Sequence, residues 1–212
     1  VDTDLFQPAV TAHSGPFTIG YAGRLVEQKG LMVLMQALPL LDGEWRCEVC
    51  GSGPLLPKLE EYVQKHNLIS QVQFIQHIPS EQMPDFYHGL DVLVLPSLST
   101  PYWKEQFGRV LVEAMACGIP VIGSNSGEIP NVIGDGGLIA PEGEIEALAE
   151  QIERLQDSSG LRKQLGQNGR TRVLVHYTQE RIALDTLQVY TWLASGSNQC
   201  PDWSYEAKGG DG

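Results

Sequence analysis

Lys104-Glu105-Gln106-Phe107-Gly108-Arg109-Val110-Leu111-Val112-Glu113-Ala114-Met115-Ala116-Cys117-Gly118-Ile119-Pro120-Val121 carries more structural information than any other part of the chain. It reads as a polar loop, a helix over 107–117, a glycine stop and a buried strand over 120–123. From Val110 to Cys117 only Glu113 is not apolar, so the helix is expected to be packed on all sides. A carboxylate in such a helix costs free energy unless donors reach it. Glu105 stands eight residues earlier, in the loop. Between the two, Gly108 falls in the first helical turn, where backbone N–H groups lack intrahelical partners. The helix thus offers a seat for an anion at its N-terminus and two carboxylates that accept from hydroxyls. Those parts suit a sugar joined to a nucleotide through phosphates.

Outward from this stretch, apolar runs alternate with amphipathic ones. Strands are expected at 17–22, 45–50, 72–75, 91–96, 120–123 and 138–140. Helices are expected at 31–40, 55–66, 80–88 with Ser80 as cap, 107–117, 129–133, 145–156, 160–176 and 179–193. The order predicts an α/β fold, a Rossmann-like doubly wound sheet, mostly parallel and covered on both faces. Ligands of such sheets bind at the carboxyl ends of the strands.

A second constellation follows the first strand: Gly20-Tyr21-Ala22-Gly23-Arg24-Leu25-Val26-Glu27-Gln28-Lys29-Gly30. Glycines let a backbone come close to a ligand. Arg24 and Lys29 are two of only fourteen basic residues, and an Arg fork with a Lys point charge suits a diphosphate. The alternative is a solvated loop with Lys29 at a helix start. For Glu113 the alternative is an ion pair with Arg109, although such pairs contribute only about 0.2–0.5 kcal/mol. For Glu105 it is an exposed loop charge.

Together these residues resemble the Glu-x7-Glu and Gly-Arg-Leu…Lys-Gly motifs of the retaining GT-B glycosyltransferases of family 4, the group 1 glycosyltransferases. The resemblance extends roughly from Val1 to Leu193. It implies the C-terminal, nucleotide-sugar-binding half of a GT-B fold. It gives Arg24 and Lys29 to the donor's diphosphate, Glu113 to the ribose hydroxyls and Glu105 to the hydroxyls of the sugar. Arg24, Lys29 and Glu105 are the expected catalytic residues. Gly23 belongs to the same loop, and Phe107, Gly108, Val110 and Leu111 supply backbone near the sugar and phosphates. Gly51-Ser52-Gly53-Pro54 resembles a turn that borders the nucleotide pocket, so Gly51 and Gly53 join the donor-binding set; a helix N-terminal turn is the other reading. His77 and Ile78 occupy the loop that approaches the base, with an ordinary surface histidine as the alternative.

The opening Val1 to Pro8 resembles the family's interdomain linker. The expected organisation is a linker over 1–16, a donor-binding domain over 17–194 and a disordered tail over 195–212. A preceding acceptor domain would complete the enzyme, and this part alone is expected to be inactive. The implied substrate is a UDP- or GDP-hexose, with no cofactor and no metal. The literal Asp-x-Asp at Asp2-Thr3-Asp4 sits in the linker, away from any strand end. The implied setting is polysaccharide biosynthesis in the cytoplasm, including the inner face of the membrane if the preceding domain docks there.

Composition narrows the alternatives. With a net charge of −12, free nucleic acid is an unsuitable partner, because phosphate binding needs a basic footprint. No apolar run approaches the ~20 residues of a membrane-spanning helix. Cys47 and Cys50 form a Cys-x-x-Cys inside a strand, where side chains three apart face opposite ways. Core and surface cysteines are therefore preferred over a zinc or redox pair. Three functional alternatives stay open: a phosphorylase or synthase of the same fold, an epimerase acting on UDP-sugars, and a non-catalytic nucleotide-sugar-binding module.

Overall fold

Six short runs of β-branched and aliphatic residues form the centre of the molecule. In the computed structural model, which describes residues 1–10 and 15–196, they are β1 (Phe17–Ala22), β2 (Trp45–Cys50), β3 (Val72–Ile75), β4 (Val92–Leu95), β5 (Val121–Ser124) and β6 (Gly137–Ala140). All neighbouring pairs are parallel. The sheet order is β3-β2-β1-β4-β5-β6, the doubly wound order of a dinucleotide-binding sheet. Every residue of β1 and β4 is buried, as strands covered on both faces require.

Among the described residues eight α-helices flank the sheet: α1 (Leu31–Ala37), α2 (Leu56–Lys65), α3 (Met83–His88), α4 (Arg109–Ala116), α5 (Ile129–Ile133), α6 (Ile145–Asp157), α7 (Ser159–His176) and α8 (Gln179–Ser195). Helix α1 packs against α2 and α6, and α4 against α3, α5 and α7, giving a helical layer on each face. The chain winds one way from β1 to β3 and the other way from β4 to β6. The loops after β1 and β4 therefore diverge and open a crevice.

Several element boundaries move. The predicted helix over 107–117 begins only at Arg109. Gly108 is its N-cap, with φ 76° and ψ 58°. A Cβ there would lie 2.9 Å from Leu111 Cδ1 and 3.0 Å from Leu95 Cδ2, so glycine suits both the conformation and the space. Ser80 caps nothing; it lies in a 3-10 turn over Ser80–Gln82 that leads into α3. The helix predicted over 31–40 tightens to a 3-10 turn at Leu38–Leu40, where Pro39 lacks the N–H needed to continue. Cys47, Cys50 and Cys117 are all buried, so none is a surface cysteine. Burial pushes the Cys47 and Cys117 thiols up to about 12.

The run over 1–8, ahead of β1, is packed onto the domain. Phe6 is 6% exposed and belongs to the main core. Arg170 Nη1 donates to the carbonyls of Phe6 and Ala116 at 2.7 and 2.8 Å. The carboxylate of Asp2 accepts from the backbone N–H groups of Asp4 and Leu5, closing a turn. The tail expected to be disordered lies, from residue 197 on, outside the described residues. Among those residues no helix is long and apolar enough to cross a membrane.

Candidate functional site

The carboxyl ends of β1 and β4 carry the first part of the site. A 3-10 turn at Glu27–Lys29 follows β1, and Ser97 follows β4. Between Ser97 and α4 the chain makes a loop that folds Glu105 inward to 7% exposure. Glu105 Oε2 accepts from Lys29 Nζ at 2.5 Å and from Ser97 Oγ at 2.9 Å. The two hydrogen bonds offset the cost of burying a polar group. Lys29 Nζ also lies 5.3 Å from the centroid of the Trp103 ring. Glu105 Oε1 has no donor among the described residues and remains an open acceptor. The alternative of an exposed loop charge is thereby overturned.

The Glu105 loop is held from two further strand ends. Glu128 N donates to the Glu105 carbonyl at 2.9 Å. Gly127 crosses that carbonyl so closely that a Cβ would lie 2.0 Å from it. Ser99 donates to Glu142 twice, from its backbone N at 2.5 Å and its Oγ at 2.7 Å. The hydroxyls of Ser99 and Ser126 lie 3.0 Å apart. Glu142 N donates to Asn125 Oδ1 at 2.8 Å, so one residue after β6 clasps the loops after β4 and β5.

Glu113 is equally buried, at 7%, one turn into α4. Tyr87 Oη donates to its Oε2 at 2.7 Å, and Arg109 Nε reaches its Oε1 at 3.0 Å. The pair with Arg109 therefore exists, but the guanidinium side chain is 76% exposed and the buried partner is the phenol. Burial, then the charge of Glu113 and its hydrogen bond, raise the pKa of Tyr87 far above the ordinary phenol value. At the helix start, Leu111 N donates to the Gly108 carbonyl at 2.8 Å. Leu111 is thus not an open donor, whereas the N–H groups of Arg109 and Val110 have no backbone acceptor among the described residues. Phe107 lies outside the helix, half-exposed, with its ring edge-on to Tyr177 at 5.6 Å.

The two cations expected at a diphosphate behave differently. Lys29 is already committed to Glu105. Arg24 is exposed and makes no ion pair among the described residues, while Tyr21 Oη fixes its carbonyl at 2.9 Å. Gly51 and Gly53 have a structural reason that the sequence did not reveal. A Cβ at Gly51 would lie 1.9 Å from the Gly23 carbonyl, and one at Gly53 2.3 Å from that of Leu25. Hydrogen bonds from Gly23 N to Cys50 O and from Leu25 N to Ser52 O, both 2.9 Å, join the same two loops. The close approach these glycines permit is between loop backbones. His77 is exposed after β3, and Ile78 is half-buried against the core.

The fold therefore places Gly23, Arg24 and Lys29 after β1 and Glu105, Gly108 and Glu113 between β4 and β5, on the two sides of the crevice, with His77 after β3, two strands away from β1. Tyr87, Ser97, Ser126 and Glu142 were not identified from the sequence, whereas Ser99 falls in the loop over 99–104 expected to help select the sugar. The serines do follow β4 and β5 in a visible cluster. Tyr87 gave no signal, because an aromatic at helical spacing reads as core.

Comparison with known proteins fits this geometry. Residues 2–172 match the family described as "Glycosyl transferases group 1". An uncharacterised glycosyltransferase of Methanocaldococcus jannaschii is 32% identical over 185 residues, which cover 86% of this chain and 50% of that protein. The sucrose-phosphate synthase of Thermosynechococcus elongatus has a TM-score of 0.81 at 31% identity, covering 93% of this chain and 52% of that one. The C-terminal domain of the Francisella tularensis group 1 glycosyl transferase LpcC has a TM-score of 0.75 at 29% identity, covering 84% of this chain and 99% of the domain. The chain spans about half the length of the curated relatives it matches.

Proposed function

The chain belongs to the group 1 glycosyltransferases, and from that footing we propose that it is the donor-binding half of a retaining, family 4 enzyme. The enzyme moves a hexose from a UDP- or GDP-sugar to an acceptor held by a further domain. One observation carries this reading: two buried, donor-held carboxylates flank the open N-terminus of α4 at the point where the sheet reverses its winding.

The chemistry is departure of a nucleoside diphosphate from the anomeric carbon. Negative charge grows on the leaving phosphate, and Arg24, Lys29 and the N–H groups of Arg109 and Val110 answer it. That set can do the work of a divalent metal, so the reading includes metal-independent binding. Glu105 Oε1 accepts from the sugar hydroxyls and holds the ring while positive charge develops on it. Lys29 then serves two anions, Glu105 and the phosphate, and links the sugar subsite to the leaving group. Glu113 accepts from the ribose, and His77 lies toward the base.

Calorimetric titration of the 212-residue chain with UDP, GDP, ADP and their hexose conjugates, with EDTA present, tests the proposal. Binding of one nucleoside diphosphate in EDTA is expected. Arg24→Ala should weaken diphosphate binding by about 1.5–3 kcal/mol and leave nucleoside binding nearly unchanged. Absence of binding to every nucleotide, or equal losses for nucleoside and diphosphate, would sink the assignment. Transfer of sugar by this chain alone at the rate of the complete enzyme would refute the need for a second domain.

A further inference from the structure

Tyr87 joins two parts of the molecule that the chain keeps far apart. Its side chain is fully buried, and its hydroxyl donates to Glu113 Oε2 at 2.7 Å. Its ring lies 6.2 Å from that of Phe6 and edge-on to Phe86 at 5.7 Å. Phe6 belongs to the run over 1–8 ahead of β1, which several contacts hold in place. Arg170 Nη1 bridges the Phe6 carbonyl and the Ala116 carbonyl at the end of α4. Thr3 O lies 3.5 Å from Arg170 Nη2. On the adjacent residue of α3, His88 Nε2 lies 2.7 Å from the Gln7 carbonyl. The segment and α4 are thus fixed to one guanidinium, with Tyr87 wedged between Phe6 and Glu113.

We propose that Tyr87 is a positioning residue for ribose recognition: it holds Glu113 in the orientation that accepts the two neighbouring ribose hydroxyls, and Phe6 holds Tyr87. The proposal rests on the assignment of Glu113 to the ribose. A carboxylate has about four lone-pair sites. Tyr87 uses one on Oε2 and Arg109 one on Oε1, which leaves one acceptor site on each oxygen for a vicinal diol. Arg109 is exposed and can exchange its contact for water. Tyr87 is buried and has no such exchange. Removing its hydroxyl leaves Glu113 free to change rotamer and commits it to the exposed Arg109.

The test uses the 212-residue chain, the nucleoside diphosphate it binds and the 2′,3′-dideoxy counterpart. Tyr87→Phe keeps the ring and its packing. It should weaken the ribonucleotide roughly tenfold, the scale of one hydrogen bond to a charged group, and leave the dideoxy ligand unchanged. Phe6→Leu should act in the same direction by a smaller factor, and it carries the test should Tyr87→Phe fail to fold. In a Glu113→Gln background, Tyr87→Phe should cause no further ribose-dependent loss. Equal losses for both ligands, or no loss, would overturn the role of Tyr87 while the ribose assignment stands. Equal affinity of the wild type for ribo and dideoxy ligands would instead remove the ribose assignment itself, and this proposal with it.

Discussion

Glu105 and Glu113 are equally buried, at 7% each, and are held by opposite means. Glu113 rides on a helix whose neighbours on every side are core residues. Its buried donor is a neutral phenol fixed by aromatic packing. Glu105 sits on a loop. Its donors are a cation from the β1 end and a hydroxyl from the β4 end, and its backbone is held by the turns after β5 and β6. A buried acid can therefore be held in place inside a protein by rigid packing or by a network of loops. The first should change little when a ligand arrives. The second joins four strand ends, so it can report what lies between them.

The largest effect expected to test this contrast is on stability. Lys29→Ala leaves Glu105 buried with Ser97 as its remaining side-chain donor, and should cost about 3 kcal/mol in urea denaturation. Adding Glu105→Gln should recover more than half of that loss, because the uncompensated charge is gone. An unchanged unfolding free energy in Lys29→Ala would mean that the ion pair is not what holds Glu105.

Next in size is the clasp. Glu142→Ala removes the acceptor of two hydrogen bonds from Ser99 and should cost about 2 kcal/mol. Limited proteolysis should then cut first within residues 98–104. Binding of the bare diphosphate should survive, since Glu142 touches Ser99 and Asn125 and neither Arg24, Lys29 nor Glu113. Loss of diphosphate binding in Glu142→Ala would erase the distinction between the two regions.

A third comparison separates the carboxylates by ligand. Glu113→Gln should weaken nucleotide and nucleotide sugar alike, by about 1.5 kcal/mol. Glu105→Gln should spare the bare diphosphate and reduce only what the sugar adds, with the catalytic rate of the complete enzyme falling further than its affinity. Paired titrations of both variants decide this; parallel losses of diphosphate would show the roles to be misassigned.

The smallest effect belongs to Arg109. Its pair with Glu113 is one helical turn long and its side chain is largely exposed. Arg109→Ala should change stability by no more than about 0.5 kcal/mol. A larger loss would make the exposed guanidinium, and not Tyr87, the main partner that holds Glu113.

Much of this arrangement could be read in advance. The alternation of apolar and amphipathic runs sets an α/β order, because strand and helix periods are local properties of the chain. The lone acid between Val110 and Cys117 identifies Glu113 for the same reason: a single charge in an apolar helix is visible without knowing its partner. The basic pair at Arg24 and Lys29 was visible too, though not that Lys29 would turn to an acid 76 residues away. Gly108 was placed inside the helix and caps it instead, since its left-handed backbone depends on how Leu95 and Leu111 fill the space beside it.

Local pattern thus settled the kinds of element and their order, and marked the two acids as candidates. It could not supply their partners. Tyr87 looks like any core aromatic until the packing of α3 on α4 brings its hydroxyl to Glu113. Glu142 looks like a solvated loop charge until the β6 end meets Ser99. Gly51 and Gly53 show no packing role until the loops after β1 and β2 close on each other. Each of these contacts joins residues far apart in sequence, and a donor–acceptor distance between such residues is a property of the assembled sheet, with no trace in the chain around either one.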